Sequence, residues 1–577
     1  MGSESYTEKR WKENIFLLLL FIGLIFLSFS FLKEKGGLTE EETSAYFIAN
    51  TFDTPGASHL ISQSPKKDFS NASVPNIIQN YYNLRKTSFS VSDTPQDISL
   101  FFSYPIWHNA DYYTNYLIPE KNGSFDYRSV INNCNTYGTA PLYYLAFHTV
   151  SSMFPFYSIK YVGFVLNLVC MLGIFFVIFY ICRKFLNSAP AGFAACILFC
   201  FSLGSISALL CTQNYLMTVF FMLLSCSLHL GLLHDNADNV WNLRFLVVVT
   251  ILGTLTDYYF LAFTLLEVIL YLIAMLGFSQ YKNILKYLID MLLSGIIVFA
   301  LFPAVFSHIS TYVSDILASM HSNTFGNTVV SYFSAIQNYL LIRGNLCFAF
   351  LFLLVIVCML ALVLNTQAFS VHWEHFKNRV SDMEVNDIFL ILLFVIHIWM
   401  LILFRTTCSI RLFLGLLPFA AILICYFLYR FCHVFMKSNF QIGLFIGAIV
   451  SVVSFLSLFY NEPDFLQKEN KETIALANTY ADTPCIFVAN EVSDAYPYLL
   501  ELGIQKKSIV TRADNRTTLS SDSAIKNSEQ LLLCLNTQEA ADSIVADFLS
   551  YGKYAFSKPI YDAHNGSEHM QIYLLYR

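Results

Sequence analysis

Charge is what this sequence has least of. Only 13% of its 577 residues are charged and 56% are apolar, where a soluble domain carries about 25% charged residues. That balance excludes an ordinary soluble fold. The net charge of −6 is spread thinly, and no basic run offers a footing for nucleic acid. Metal-knuckle spacing is also missing. Most of the 14 cysteines lie inside apolar runs (Cys170, Cys182, Cys196, Cys200, Cys226, Cys358, Cys425) and read as small core hydrophobes. Cys134, Cys485 and Cys534 fall in polar regions, and a Cys485–Cys534 bridge is the one disulfide hinted at. There is no nucleotide-binding glycine loop in the tail and no small-residue cleavage site after the first apolar run, Ile15–Leu32. No duplicated half is evident, which counts against a secondary transporter.

What is present is a series of long apolar runs with basic residues on one side. Lys9, Arg10 and Lys12 precede the first run, which predicts a cytoplasmic amino terminus. A second span is expected at Ser158–Cys182, followed by Arg183-Lys184, and others at 190–207 and 212–233. The run Phe245–Phe278 would reach ~50 Å as one helix, well beyond a ~30 Å hydrocarbon core. It would also bury Asp257 near its middle, at about 2.5–3.5 kcal/mol. Two spans turning at Thr256-Asp257 avoid both costs. Spans at 287–305, 345–364, 388–404, 411–429 and 440–459 complete about eleven, which leaves the carboxyl terminus outside. The fold class expected is a polytopic α-helical membrane protein with a small α/β extracytoplasmic domain.

Two polar regions interrupt this pattern. The first is the loop 33–157, assigned with residues 1–460 to the transmembrane domain. A loop of that length is uncommon unless it is functional or disordered, and aromatics such as Trp107, Phe125 and Tyr127 make a solvated tail a poor fit. Its stretch Pro141–Phe154 is apolar but too short to cross, so it predicts a helix lying in the interface. The second region, 461–577, alternates apolar runs (Cys485–Val488, Leu531–Leu535, Ile572–Leu575) with helical patterns such as Glu539–Leu549. That predicts the α/β domain. Sequons beginning at Asn71, Asn122, Asn515 and Asn565 fall outside the membrane on this topology.

The charged residues that carry chemistry stand at the outer ends of spans. Glu41 and Glu42 follow the first span, Asp257 sits at an outer turn, and Arg343, Arg405 and Arg411 border later spans. Arginine suits phosphate because its fork meets two oxygens at once, and a carboxylate beside a hydroxyl serves as general base. The plain alternatives are a solvated face for the glutamates and snorkelling anchors for the arginines. Glu267 is the exception in depth. It falls near the middle of a span, where acids are functional candidates by default.

Several of these positions resemble one family. Pro141-Leu142-Tyr143-Tyr144-Leu145 is similar to the His-Pro-Pro-Leu-Tyr-Tyr segment of GT-C-fold glycosyltransferases that use polyprenyl-phosphate sugars, among them the protein mannosyltransferases and the lipid A aminoarabinose transferases. Glu41-Glu42 resembles their Asp-Glu pair. Thr254-Leu255-Thr256-Asp257-Tyr258-Tyr259 is similar to a Leu-Thr-His-Tyr-Tyr segment, Phe302-Pro303-Ala304 with His308 to another, and Arg411 with Pro418 to a late Arg-Tyr…Pro segment. The resemblance implies inverting transfer of a sugar from a polyprenyl-phosphate donor to a cell-wall polymer, lipid glycan or protein, in a bacterial plasma membrane. It implies Glu41 as general base and Glu42 as its neighbour, positioning the acceptor or a cation. Arg343 and Arg411 would hold the donor phosphate, and Asp257, Tyr143, Tyr144, Tyr258 and His308 would meet substrate. A divalent cation is the only cofactor it leaves open.

The match has gaps. The His-Pro-Pro segment reads Thr139-Ala140-Pro141, Glu41 replaces aspartate, and Gln213 stands where an arginine is common. These changes support a competing reading, a catalytically silent relative that binds lipid-linked sugar or scaffolds envelope enzymes. A transporter is the third.

Overall fold

The computed structural model of the protein describes residues 6–50, 107–110, 113, 117, 124–154, 159–234, 240–277, 281–322, 324–343, 384–436, 438–468, 470–490, 492–537, 539–565 and 568–577. The span expected at 345–364 and the sequons at Asn71 and Asn122 lie outside the described residues. Two compact units are formed, one of residues 1–36 with 137–468 and one of residues 37–136 with 469–577.

The first unit is a helical bundle, and the protein is an integral membrane protein. Among the described residues seven helices are long and apolar enough to cross a membrane: Glu13–Glu34, Lys160–Lys184, Tyr215–His234, Tyr258–Gly277, Asn283–Leu301, Val385–Leu403 and Asn439–Tyr460. Tyr215–His234 is the central one, 83% buried where the first is 17% buried. The expected count of about eleven is not reached among these residues. The run at 190–207 is a helix pair, Ala189–Cys200 and Leu203–Leu210, bent by 54°. Ser188 and Ser202 cap the two halves, each accepting a backbone N–H three residues on, so the second half begins as a new helix. Val240–Thr256 and Leu417–His433 are apolar but short.

The run Phe245–Phe278 does break at Asp257, into helices Val240–Thr256 and Tyr258–Gly277. Gly253 permits the turn: a Cβ there would fall 2.4 Å from the Phe260 ring, so only a residue without one lets the two helices close up. Pro141 leads into a helix at Leu142–Met153, of 12 residues.

The second unit carries a five-stranded sheet in the order β2-β1-β3-β5-β4. Its strands are β1 (Cys485–Ala489), β2 (Ser508–Arg512), β3 (Gln530–Asn536), β4 (Phe556–Asn565) and β5 (Glu568–Tyr576). β1 runs parallel to β2 and β3, while β5 is antiparallel to β3 and β4. β1 is apolar and buried along its whole length, as a strand at the centre of a parallel set must be. Ile486, Val488, Leu531, Leu533 and Leu535 pack on Ile544 and Phe548 of the helix Ala541–Gly552. The Cys485 and Cys534 thiols are 3.7 Å apart and both are free. The early loop adds to this unit: His108 exchanges two backbone hydrogen bonds with Ser508 and covers the β2 edge. Trp107 donates to Asp522 at 3.0 Å under the Lys507 ammonium.

Candidate functional site

The site is built where the chain stops being helical inside the first unit. Asp257 is the lone residue between two helices, and its Oδ1 accepts the Tyr259 N–H at 3.0 Å. It is thus the N-cap of the helix Tyr258–Gly277, satisfying a donor that the first turn would leave unpaired. Asn214, just ahead of the central helix, donates to the Thr256 carbonyl at 2.8 Å and ties off the preceding helix end.

Arg411 closes on this cap. It stands on the short turn Ile410–Phe413, and its Nε donates to Asp257 Oδ2 at 3.0 Å while Nη2 donates to Oδ1. Two parallel charge-assisted bonds fix the guanidinium plane as well as its position. Asp257 is 1% exposed, whereas the Arg411 side chain is 36% exposed. The carboxylate is therefore committed to the arginine, and the arginine remains open on its other side. Tyr312 lies under the guanidinium, with its ring centre 5.4 Å from Cζ. Burial pushes the Tyr312 phenol up to about 12 against the opposing pull of Arg411, so it is a neutral hydroxyl at ordinary pH.

Two further predicted residues join here. Tyr258, one residue past the cap, hydrogen-bonds through its hydroxyl to His308 Nδ1 at 2.9 Å. The His308 ring lies against Gly138: a Cβ on that glycine, which has a φ of +68°, would sit 3.9 Å from His308 Cδ2. Gly138 immediately precedes Thr139, the position where the resemblance expects a histidine. An imidazole thus reaches this neighbourhood from a distant part of the chain.

The remaining predicted residues have the following surroundings. Arg343 is exposed just past the helix Phe325–Leu340, and among the described residues it forms no hydrogen bond or ion pair with Asp257 or Arg411. Tyr143 and Tyr144 are buried, with rings edge to face at 5.6 Å, and Tyr143 stacks on Phe147. Glu41 and Glu42 belong to the second unit, on the first turn of the helix Glu40–Asn50. Glu42 is fully buried, and its Oε2 accepts both the backbone N–H (2.9 Å) and the hydroxyl (3.2 Å) of Thr39. With the Glu42 N–H directed at Thr39 Oγ1, this is a reciprocal capping box. Glu41 is exposed. No group of three or more His, Cys, Asp or Glu side chains that could hold a metal lies together among the described residues.

Sequence reasoning passed over Tyr312, Asn214 and the pair Tyr259–His397. The Tyr259 hydroxyl is bonded to His397 Nε2, both fully buried beneath the Asp257 turn. Tyr259 carried a local signal through its place beside Tyr258; His397 sits in an apolar run, and Asn214 and Tyr312 sit in short polar stretches that mark no partner by themselves.

No family model matches the chain, and no curated protein matches it by sequence. Among solved structures, the chain is similar to the crystal structure of ArnT from Cupriavidus metallidurans bound to undecaprenyl phosphate, at 10% identity and a TM-score of 0.41. It is similar also to the apo crystal structure of the same protein, at 11% identity and a TM-score of 0.42. Each comparison covers 79% of this chain and 94% of that one.

Proposed function

We propose that the chain is a membrane glycosyltransferase of the GT-C type, moving a sugar from a polyprenyl-phosphate donor to an extracytoplasmic glycan, lipid or protein. The observation that carries this is the state of Arg411. Asp257 takes Nε and one N–H of Nη2, and among the described residues the Nη1 end of the fork meets no acceptor. A guanidinium held rigidly by a buried carboxylate, with donors directed away from it, suits an anion such as a phosphodiester. As the sugar leaves, negative charge grows on that phosphate, and a donor already in place stabilises it without reorganising.

On this reading the residues divide their work. Arg411 meets the phosphate. Asp257 is a positioning residue, because both its oxygens are occupied. Tyr258 with His308, and Tyr312, meet the sugar or the phosphate. Glu41, an exposed acid in its helix's first turn, is the general base on the strength of the motif alone. The acceptor class rests on the resemblance.

The test is transfer from a radiolabelled polyprenyl-phosphate sugar in membranes carrying wild type or Arg411→Gln. Incorporation by wild type and its loss in the variant supports the reading. Equal incorporation removes Arg411 from it, and no incorporation by wild type across a panel of donors favours a lipid-linked-sugar binder without catalysis.

A further inference from the structure

Ten residues beyond Asp257 on the same helix, ~15 Å along its axis, the bundle holds a second polar cluster that the transfer chemistry does not use. Glu267 is fully buried, and one of its oxygens, Oε2, accepts the Ser225 hydroxyl from the central helix Tyr215–His234. His229, also fully buried, stands one turn further along that helix with Nδ1 3.6 Å from the same oxygen. The His229 Nδ1 is 3.0 Å from the Ser225 carbonyl, an acceptor only, so Nδ1 carries a hydrogen. Nε2 is then the end that gains or lacks one, and it faces the Tyr287 hydroxyl at 2.8 Å on the helix Tyr281–Leu301. The other Glu267 oxygen, Oε1, is buried with no hydrogen-bond partner.

We propose that Glu267 and His229 form a proton-binding site inside the membrane, holding one proton on either the carboxyl or the imidazole. The charge balance points this way. Among the described residues no lysine or arginine pairs with Glu267. The titratable groups facing it are His229 and Cys226 from the central helix, Tyr287 from the next helix, and Tyr271 on its own. Phe389, on Val385–Leu403, closes the far side of the imidazole. With one proton the pair is neutral overall, as acid beside imidazole or as carboxylate beside imidazolium. With none or two it carries a net charge in a setting of low dielectric, which is the costly condition. A carboxyl needed only for packing would not require a base 3.6 Å away. The two seats therefore titrate as a unit rather than as separate groups. This inference goes beyond the transfer reaction and stands without it.

Infrared spectroscopy of the purified protein in lipid nanodiscs tests it, reading the protonated-carboxyl C=O band from acid to alkaline pH. The wild type is expected to show one such band that is absent from Glu267→Gln. The band's titration should shift in His229→Gln, where the proton has a single seat. The absence of any band that is lost in Glu267→Gln overturns the proposal, as does such a band that is unchanged by both pH and His229→Gln, which marks a permanently protonated structural acid. Should Glu267→Gln fail to fold, the wild type with 15N-labelled histidine decides. The His229 imidazole signal, assigned as the one missing from His229→Gln, supports the shared site if it interconverts between neutral and charged forms with pH, and one fixed form across the range overturns it.

Discussion

Arg411 and Asp257 are 154 positions apart in the chain, and the structure joins them through two parallel hydrogen bonds at the single non-helical residue between two helices. The carboxylate has no other exposure to spend, while the guanidinium is left open on one side. The proposed phosphate-binding role of Arg411 rests on that asymmetry.

Arg411→Lys keeps the charge and loses the fork. Lysine cannot make the paired contact with Asp257 and present further donors at the same time. Transfer should fall by about 100-fold or more, in the range seen when one donor to a developing oxyanion is removed. The readout is labelled-sugar incorporation at saturating donor, and activity within a fewfold of wild type would remove the fork from the mechanism.

Asp257→Asn should act through Arg411. The amide cannot accept two N–H bonds from the guanidinium, and a displacement of about 1 Å costs on the order of 100-fold in rate. Because Asp257 also caps a helix, the thermal midpoint should drop slightly, asparagine being as good a cap as aspartate. A large loss of rate with near-normal stability is the expected pattern. Equal loss of both would make Asp257 purely structural.

Glu41 and Glu42 should behave differently although they are neighbours. Glu42→Gln preserves a capping box, which tolerates glutamine at that position, and should leave transfer nearly unchanged. Glu42→Ala removes both bonds to Thr39 and should lower the melting midpoint. Glu41→Gln, which removes the charge and keeps the size, should abolish transfer by removing the proposed base. Parallel kinetics and melting of the three variants separate these roles.

Stability of the second unit should depend on pH through Glu501. Burial raises this carboxyl from 4.5 to about 7, partly offset by the Thr473 hydroxyl that donates to it. The folded state therefore binds the proton more tightly than the unfolded chain. The contribution is fully present below about 4.5 and is lost as pH climbs through about 7. A shift of that size corresponds to about 3 kcal/mol. Glu501→Gln should flatten this dependence, measured by denaturant unfolding at several pH values. A variant that keeps the wild-type slope would place the titrating group elsewhere.

Much of the architecture was written in the chain itself. Long apolar runs admit few states in a bilayer other than helices, because backbone polar groups there must be satisfied within the segment. The break at Asp257 was legible for the same reason, since an unbroken helix would have placed its charge in hydrocarbon. The apolar runs of β1, β3 and β5 announced the sheet. β2 and β4 did not, because Ser508–Arg512 and Phe556–Asn565 are edge strands of mixed composition whose identity comes from their partners.

The sequence alone determined that Asp257, Tyr258, His308 and Arg411 were polar groups at the ends of apolar segments. It could not say which of them meet. Pairing is a matter of which helix ends lie side by side, and no local periodicity records that. Tertiary structure decided that Asp257 serves Arg411, that Glu42 serves its own helix, and that Glu267 has a histidine beside it. Each outcome has one physical cause: a buried charge or hydrogen-bonding group must find a partner within a few ångströms, and the partner is supplied by whichever segment the packing brings there.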